Sequence, residues 1–234
     1  MHVSFLAESD LLYIWGKTTW EGKAIILTLV AFSIMAWTIM ASKAVQMRRA
    51  RILNRFFDAE FRTQGKVMDV FDRQIQVPDC PMFVVYQEGC RELDKRLRGP
   101  LGEERRQFAS LKTMEHVKRT LENMVAQQSL RLESGLIFLA IAVSGAPFLG
   151  LLGTVWGVMS TFGRVAIAEK ADLATMAPGV AAALMTTVAG LLVAIPSMFG
   201  YNWLVHNLRA MTVELDNFSQ ELVSKIETEH LAEE

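Results

Sequence analysis

Two long apolar stretches dominate the C-terminal half of the chain. The first runs from Gly135 to Phe162 and the second from Met176 to Val205, and neither contains Asp, Glu, Lys, Arg or His. A membrane-spanning helix needs about 20 apolar residues, so each stretch is long enough to cross a bilayer. Because backbone polar groups cannot stay unpaired in lipid, the pattern predicts that both stretches are helices.

A third apolar stretch near the N-terminus predicts another spanning helix. It covers residues 22–42 and includes AIILTLVAFSIMAWTIMAS. Basic residues follow it directly, at Lys43, Arg48, Arg49, Arg51 and Arg55. Basic residues accumulate on the cytoplasmic side of spans, so we expect the N-terminus outside and both residue 43 and the C-terminus in the cytoplasm. The cluster could also bind nucleic acid or lipid headgroups, but beside a span topology is the simpler account.

The more polar parts of the chain predict helices outside the bilayer. The predicted segments are an N-terminal interfacial segment (1–21), the first transmembrane helix (22–42), a cytoplasmic helical region (43–134), the second and third transmembrane helices (135–205) and a cytoplasmic C-terminal helix (206–234). We expect one helix from Ala44 to Ile75, and another from Glu103 that continues through Gly135 into the second span. Residues Thr18 to Glu21 match a capping box. The sequence therefore predicts an all-α membrane protein with three transmembrane helices and extended cytoplasmic helices.

Small residues line one face of each of the two C-terminal spans. Steps of three and four place Gly150, Thr154, Gly157 and Thr161 on one face of the first. A similar stripe on the second holds Gly179, Ala183, Thr186, Gly190 and Ala194, with Thr187 beside it. Small faces let membrane helices pack closely, which is the simpler interpretation. The alternative is a lightly polar surface that lines an ion path or receives a partner helix.

The same two spans also contain hydroxyl groups and prolines that affect the helix backbone. In the packing interpretation, the hydroxyls of Thr154, Thr186 and Thr187 bond the carbonyl oxygens four residues earlier in their own helices. Those carbonyls belong to Gly150, Ala182 and Ala183. Pro147 and Pro196 lie inside the spans, and we expect each to kink its helix because proline removes a backbone donor.

Composition and charge argue against several classes of function. The chain is 51% apolar and has a formal net charge of −1, so its charge does not indicate nucleic-acid binding. Cys80 and Cys90 are too far apart for a CxxC motif and have no histidine cluster nearby, so we expect reduced thiols and no metal or cofactor. His116 has no catalytic companions and is expected on the surface. No nucleophile–base pair or phosphate loop supports an enzyme.

Two motifs in the C-terminal spans resemble a known family. LLGTVWGVMSTF and APGVAAALMTTVAGLLVAIPSMFGYN are similar to the signature region of the TolQ/ExbB/MotA proton-channel family, with the resemblance strongest from Ala146 to Asn202. The layout of three spans fits TolQ and ExbB rather than MotA, which has four. The tail VELDNFSQELVSKI resembles TolQ slightly more than ExbB.

The resemblance implies a function, partners and site residues. TolQ- and ExbB-like proteins lie in the bacterial inner membrane and form a ring, commonly of five subunits. The ring surrounds single-span helices of a TolR- or ExbD-like partner that carries an intramembrane Asp, and the complex acts on a TolA- or TonB-like protein across the periplasm. By this resemblance Thr154 and Thr187 match pore-facing threonines, which would hydrogen-bond water or the partner's Asp as a proton passes.

One position departs from the family's pattern. TolQ and ExbB usually have Glu in APGIAEAL, whereas this chain has Ala182 in APGVAAAL. Either the partner's Asp suffices or the coupling is altered. The leading hypothesis is a stator-like subunit of a proton-driven motor, with Tol-Pal outer-membrane maintenance slightly favoured over TonB-dependent uptake. The alternative is a structural membrane scaffold without proton conduction, in which the threonines only close their own helix turns.

Overall fold

The fold is α-helical throughout the described part of the chain. The computed structural model describes residues 15–16, 18–98, 106, 108–168 and 172–231. These residues contain no strand and form the helices α1 (Trp20–Thr63), α2 (Asp69–Asp72), α3 (Pro81–Arg98), α4 (Leu111–Glu133), α5 (Leu136–Ala168) and α6 (Leu173–His230). The predicted all-α fold is confirmed.

Three of the described helices are long and apolar enough to cross a membrane. They are α1, residues Leu136–Ile167 of α5, and α6. Large apolar side chains such as Trp37, Phe148 and Phe199 remain exposed on them, as expected for helices that face lipid. The three predicted spans are therefore confirmed. Pro147 and Pro196 lie inside the unbroken helices α5 and α6, and a kink at each stays a prediction.

The chain divides into two compact units, which are described separately. Unit 1 comprises Met1–Ser42 and Gly135–Trp203, and unit 2 comprises Lys43–Ser134 and Leu204–Glu234. Unit 1 therefore contains the first part of α1, all of α5 and the first part of α6. A small cluster of buried apolar residues joins these three helices: Leu29, Ala146, Val193 and Ala194.

The N-terminal cap of α1 lies one residue later than the sequence predicts. The helix begins at Trp20, and the Oγ1 atom of Thr19 accepts a hydrogen bond from the Gly22 N–H at 3.3 Å. Thr19 is therefore the capping residue instead of Thr18, and Glu21 falls too early in the turn to complete the predicted box. Most of the predicted interfacial segment (1–21) lies outside the described residues, which here are 15–16 and 18–21.

An aromatic cluster forms the core of unit 2. Its rings come from α1, α3 and α6 and belong to Phe57, Phe61, Phe83, Tyr86 and Phe218. The ring centroids of Phe57 and Phe83 lie 5.4 Å apart in an edge-to-face arrangement, and those of Phe61 and Phe218 lie 5.3 Å apart. Such contacts add to the stabilisation from apolar burial, so this cluster ties the three helices together.

Buried polar groups fix the connection between α1 and α3. The Tyr86 hydroxyl donates to the Val67 carbonyl at 2.6 Å and accepts from the Phe71 N–H at 3.0 Å, while burial raises the pKa of the phenol. The Oδ1 atom of Asn54 accepts from the Met82 N–H at 3.1 Å, at the start of α3. Cys80 and Cys90 are buried and form no disulfide with a described residue, and burial raises the pKa of Cys80.

Two helix boundaries in unit 2 differ from the sequence prediction. The first helix ends at Thr63 instead of continuing to Ile75, and the short α2 interrupts the segment that follows. The predicted helix through Gly135 is also wrong, because α4 ends at Glu133 and Gly135 has a φ of 86°. A glycine in this left-handed conformation is a common helix terminator, since it carries no Cβ that would clash.

Replacing Tyr86 with phenylalanine tests the hydrogen bonds that hold the connection. We expect Tyr86→Phe to lower the free energy of unfolding by about 1–3 kcal/mol and to speed amide exchange at Phe71, because a buried carbonyl and N–H lose their partner. Tyr201→Phe is the control, since the Tyr201 hydroxyl forms no hydrogen bond with any of the described residues. Equal effects of the two substitutions would contradict this assignment.

Candidate functional site

Helices α5 and α6 approach each other at positions where only glycine fits. A Cβ atom built on Gly150 would lie 2.9 Å from the Thr186 carbonyl oxygen and 3.0 Å from the Thr187 Cα atom. A Cβ atom on Gly190 would lie 2.6 Å from the Ala146 carbonyl oxygen. Because the obstructing atoms belong to the backbone, a side chain at either glycine could be accommodated only by moving the helices apart.

The same contact continues toward the other end of the two helices. Gly157 faces the Cβ atom of Ala183, which would lie 2.7 Å from an added Cβ, and Gly179 faces the side chain of Thr161. The two stripes of small residues thus face each other within one chain. Gly153 was not included in the predicted stripe, although it also faces Thr186. Its spacing of three from Gly150 is the sequence signal that could have identified it.

A cluster of three hydroxyl groups lies where α5 and α6 are closest. Thr154 is in hydrogen-bond contact with Thr187, and either hydroxyl can be the donor. The Gly150 carbonyl oxygen lies 3.2 Å from the Thr187 hydroxyl and 3.0 Å from the Thr186 hydroxyl. The Ala183 carbonyl oxygen lies 3.0 Å from the Thr154 hydroxyl and 2.7 Å from the Thr186 hydroxyl.

The acceptors differ from those expected for two of the three threonines. Thr154 lies 3.3 Å from the carbonyl oxygen of Gly150, as predicted from its own helix. Thr186 instead bonds the carbonyl three residues back, and Thr187 bonds a carbonyl across the helix pair. The hydroxyls therefore link α5 to α6 and do more than close turns of their own helices.

Exposure separates the three threonines into two groups. Thr186 is only 1% exposed, so its hydroxyl serves the contact between the helices. Thr154 and Thr187 are each partly exposed, so these residues lie at the edge of the contact. Part of each residue can therefore contact a group from outside the chain, whereas Thr186 is enclosed. Thr161 is buried and donates to its own Gly157 carbonyl at 2.8 Å.

Ala182 is buried in a part of unit 1 that has little free space. Its side chain is 3% exposed and lines a cavity of about 10 Å³ together with Thr161, Arg164 and Thr186. Such a cavity has room for about one water molecule. The position that lacks the expected glutamate is therefore occupied by a small side chain in a packed environment.

The described residues offer no alternative chemistry near the hydroxyl cluster. They contain no group of three or more His, Cys, Asp or Glu side chains that could hold a metal ion. The apolar stretches on α5 and α6 contribute hydroxyls and backbone carbonyls and carry no carboxylate, amine or imidazole. Such groups can donate, accept and relay hydrogen bonds, but they cannot hold a proton as a charge near neutral pH.

The sequence profile of the MotA/TolQ/ExbB proton channel family matches residues 91–217, which is more than half of the chain. The chain belongs to this family. The family match includes the whole hydroxyl cluster as well as Ala182.

Individual relatives agree with this family assignment. The chain is 34% identical to the Tol-Pal system protein TolQ of Pseudomonas aeruginosa over 76% of its length and 75% of the relative. It is 28% identical to the Tol-Pal system protein TolQ of Haemophilus influenzae over 93% of its length and 94% of the relative. It is 27% identical to the biopolymer transport protein ExbB of Neisseria meningitidis over 85% of its length and 88% of the relative.

A pair of glycine substitutions tests the close approach of the helices. Gly150→Ala is expected to lower the free energy of unfolding by about 1–3 kcal/mol, because the added methyl group meets backbone atoms of α6. Gly163→Ala, in the same helix α5, is the matched control because nothing lies within 4 Å of its added Cβ. The free energy of unfolding of each variant is measured in mixed micelles, with circular dichroism as the signal. An unchanged stability of Gly150→Ala would contradict the close contact.

A second pair of substitutions tests the environment of Ala182. Both Ala182→Gln and Ala182→Glu are expected to destabilise the chain, because neither side chain fits the free space. Ala182→Glu should be the less stable of the two at neutral pH by about 1–3 kcal/mol, since burial of the charged carboxylate adds a desolvation cost. The difference should disappear at a pH low enough to protonate the carboxyl group. Greater stability of Ala182→Glu at neutral pH would show instead that the position is open to solvent or to Arg164.

Proposed function

We propose that this chain is an inner-membrane stator-like subunit of a proton-driven motor. It forms a ring, of five copies by resemblance to the family, with its N-terminus in the periplasm and its C-terminus in the cytoplasm. The observation that supports this proposal most directly is the contact between the hydroxyls of the partly exposed residues Thr154 and Thr187, which lie in apolar stretches without Asp, Glu, Lys, Arg or His. Family membership supplies the link to proton conduction.

The proton carrier in this proposal is a carboxylate from another protein. Proton paths through membranes normally use an ionisable side chain at depth, and the apolar stretches from Gly135 to Phe162 and from Met176 to Val205 contain no Asp, Glu, Lys, Arg or His. A single-span TolR- or ExbD-like partner would place its Asp next to Thr154 and Thr187. The motor would then transmit motion to a TolA- or TonB-like protein that acts across the periplasm.

The hydrogen bond between the two hydroxyls can run in either direction next to such a carboxylate. In one direction Thr154 donates to Thr187, which donates to the Gly150 carbonyl at 3.2 Å. In the other direction Thr187 donates to Thr154, which donates to the Ala183 carbonyl at 3.0 Å. In either direction both hydroxyl protons are used within the chain, and lone pairs on the threonine oxygens remain to accept a hydrogen bond from a protonated carboxyl group or from water.

One relative supports a choice between the two motor systems. The TolQ of Pseudomonas aeruginosa shares 34% identity with the chain, against 30% for the ExbB of Pseudomonas putida. We therefore favour a role in the Tol-Pal system, which maintains the outer membrane, over TonB-dependent uptake.

A second candidate function is a membrane scaffold that conducts no protons. One observation favours it: each of the three clustered hydroxyls has an acceptor within the chain, so packing alone can account for them. In that case the threonines would stabilise the helix pair and the partner's Asp would be irrelevant to this chain.

Valine substitutions at the hydroxyl pair distinguish the two functions. In liposomes that contain the chain and a single-span partner with an intramembrane Asp, Thr154→Val and Thr187→Val should each reduce proton flux by about ten- to a hundredfold. That range follows because loss of the accepting oxygen leaves the protonated carboxyl group without a hydrogen-bond partner, which costs about 1–3 kcal/mol. Flux should also disappear when the partner's Asp is changed to Asn, and it should be absent without the partner.

Thr38→Val is the matched control for these variants. Thr38 is exposed on α1, and its hydroxyl donates at 2.7 Å to the Ile34 carbonyl of its own helix. This variant should retain full flux. Full flux in both Thr154→Val and Thr187→Val would reject their role in conduction. An assembled wild-type complex that conducts no protons would favour the scaffold.

A further inference from the structure

A basic face of α1 in unit 2 makes few contacts within the chain. The face is defined by four exposed residues at helical spacing: Val45, Arg48, Arg49 and Ile52. Val45 is 67% exposed and Ile52 is 49% exposed. Arg51, by contrast, lies on another side of the helix, where its guanidinium donates to the Asn207 Oδ1 atom at 3.0 Å.

The positive charges on this face are poorly compensated. Arg48 forms no ion pair with any of the described residues. Arg49 is paired with Asp79 at 3.6 Å, and the two side chains are 65% and 57% exposed. An exposed pair at this distance contributes little, so both guanidinium groups can bind an external anion.

The position of the face along α1 indicates which anion. The apolar part of α1 ends near Ser42, and at about 1.5 Å per residue Arg48 and Arg49 lie roughly 9–10 Å further along the helix. A headgroup layer extends about 5–8 Å beyond each side of the hydrocarbon core, so long arginine side chains reach lipid phosphates there. Val45 precedes the arginines and lies closer to the acyl chains.

We propose that Val45, Arg48, Arg49 and Ile52 form a binding site for one anionic phospholipid. The two guanidinium groups contact its phosphate, for which their planar donor geometry is suited. Val45 packs against its apolar parts, and Ile52 borders the headgroup on the side away from the bilayer core. The site selects anionic over zwitterionic lipid because it carries two positive charges and only one nearby carboxylate. It is independent of the hydroxyl cluster and of proton conduction.

Native mass spectrometry of the purified full-length protein tests the site. The protein is released from micelles that contain phosphatidylglycerol or phosphatidylcholine with identical acyl chains, and the bound lipid is counted. We expect the wild-type protein to retain about tenfold more phosphatidylglycerol, in line with the attraction of two basic residues to anionic lipid. Equal retention of the two lipids by the wild-type protein would by itself overturn the proposal.

Three variants localise the selectivity. Arg48→Gln with Arg49→Gln should reduce phosphatidylglycerol retention to the phosphatidylcholine level. Lys112→Gln with Lys118→Gln removes the same charge at exposed positions of α4, near the end of that helix that is further from Gly135, and should leave the preference unchanged. Asp79→Asn should increase phosphatidylglycerol retention, because it removes the competing carboxylate. Asparagine tolerates the φ of 62° at this position, so the backbone is preserved.

Two outcomes of the variant series would reject the site. Equal loss of phosphatidylglycerol in the two double variants would show that total charge, and not this face, attracts lipid. A change in oligomer mass by light scattering for Arg48→Gln with Arg49→Gln, with lipid preference unchanged, would show that the face contacts a second copy of the chain.

Discussion

The contact between the backbones of α5 and α6 is the constraint on which the candidate site depends. In a bilayer, apolar side chains gain little by leaving lipid for a neighbouring helix, so close packing and hydrogen bonds must hold helices together. Gly150 and Gly190 make that packing possible because backbone atoms of the opposite helix occupy the space of a side chain. The same approach brings the Gly150 carbonyl within reach of hydroxyls on α6. Without the glycines, the hydroxyl cluster would come apart into separate turns of two helices.

The two units follow opposite rules because their surroundings differ. In unit 1 the smallest residues make the tightest contact, while large side chains such as Phe148 and Phe199 point outward. In unit 2 the large residues are inside, and the rings of Phe57, Tyr86 and Phe218 form its core. Burial of aromatic surface stabilises a structure in water, where it is removed from the solvent, but gives little advantage in lipid. Each arrangement is thus the expected one for its solvent.

Much of the fold could be predicted from the sequence because it depends on hydrophobicity summed over many residues. Uninterrupted apolar runs of sufficient length identify the three spans whatever their neighbours are. The helix ends could not be predicted in the same way. A glycine inside a helical pattern is often tolerated, and nothing local to Gly135 reveals its positive φ. The end of α1 at Thr63 likewise reflects the packing of the following segment against Tyr86, which is distant in sequence.

The candidate site shows the same division between local and non-local information. Helical spacing identified the small faces and the threonines, because residues three and four apart lie on one side of a helix. It could not identify the hydrogen-bond partners of Thr187, since its acceptor belongs to another helix. Gly153 lies three residues from Gly150, so the same spacing could have placed it on the small face, but its contact with the Thr186 side chain depends on the opposite helix.

Ala182 determines which protein of the proposed complex can supply the proton-carrying group. A carboxylate at this position in every copy would give the ring its own set of acid–base groups, as many as there are subunits. In this chain the stretches from Gly135 to Phe162 and from Met176 to Val205 keep one protonation state across the physiological pH range. In the proposed motor, every proton that passes would then be carried by an Asp residue of the central partner.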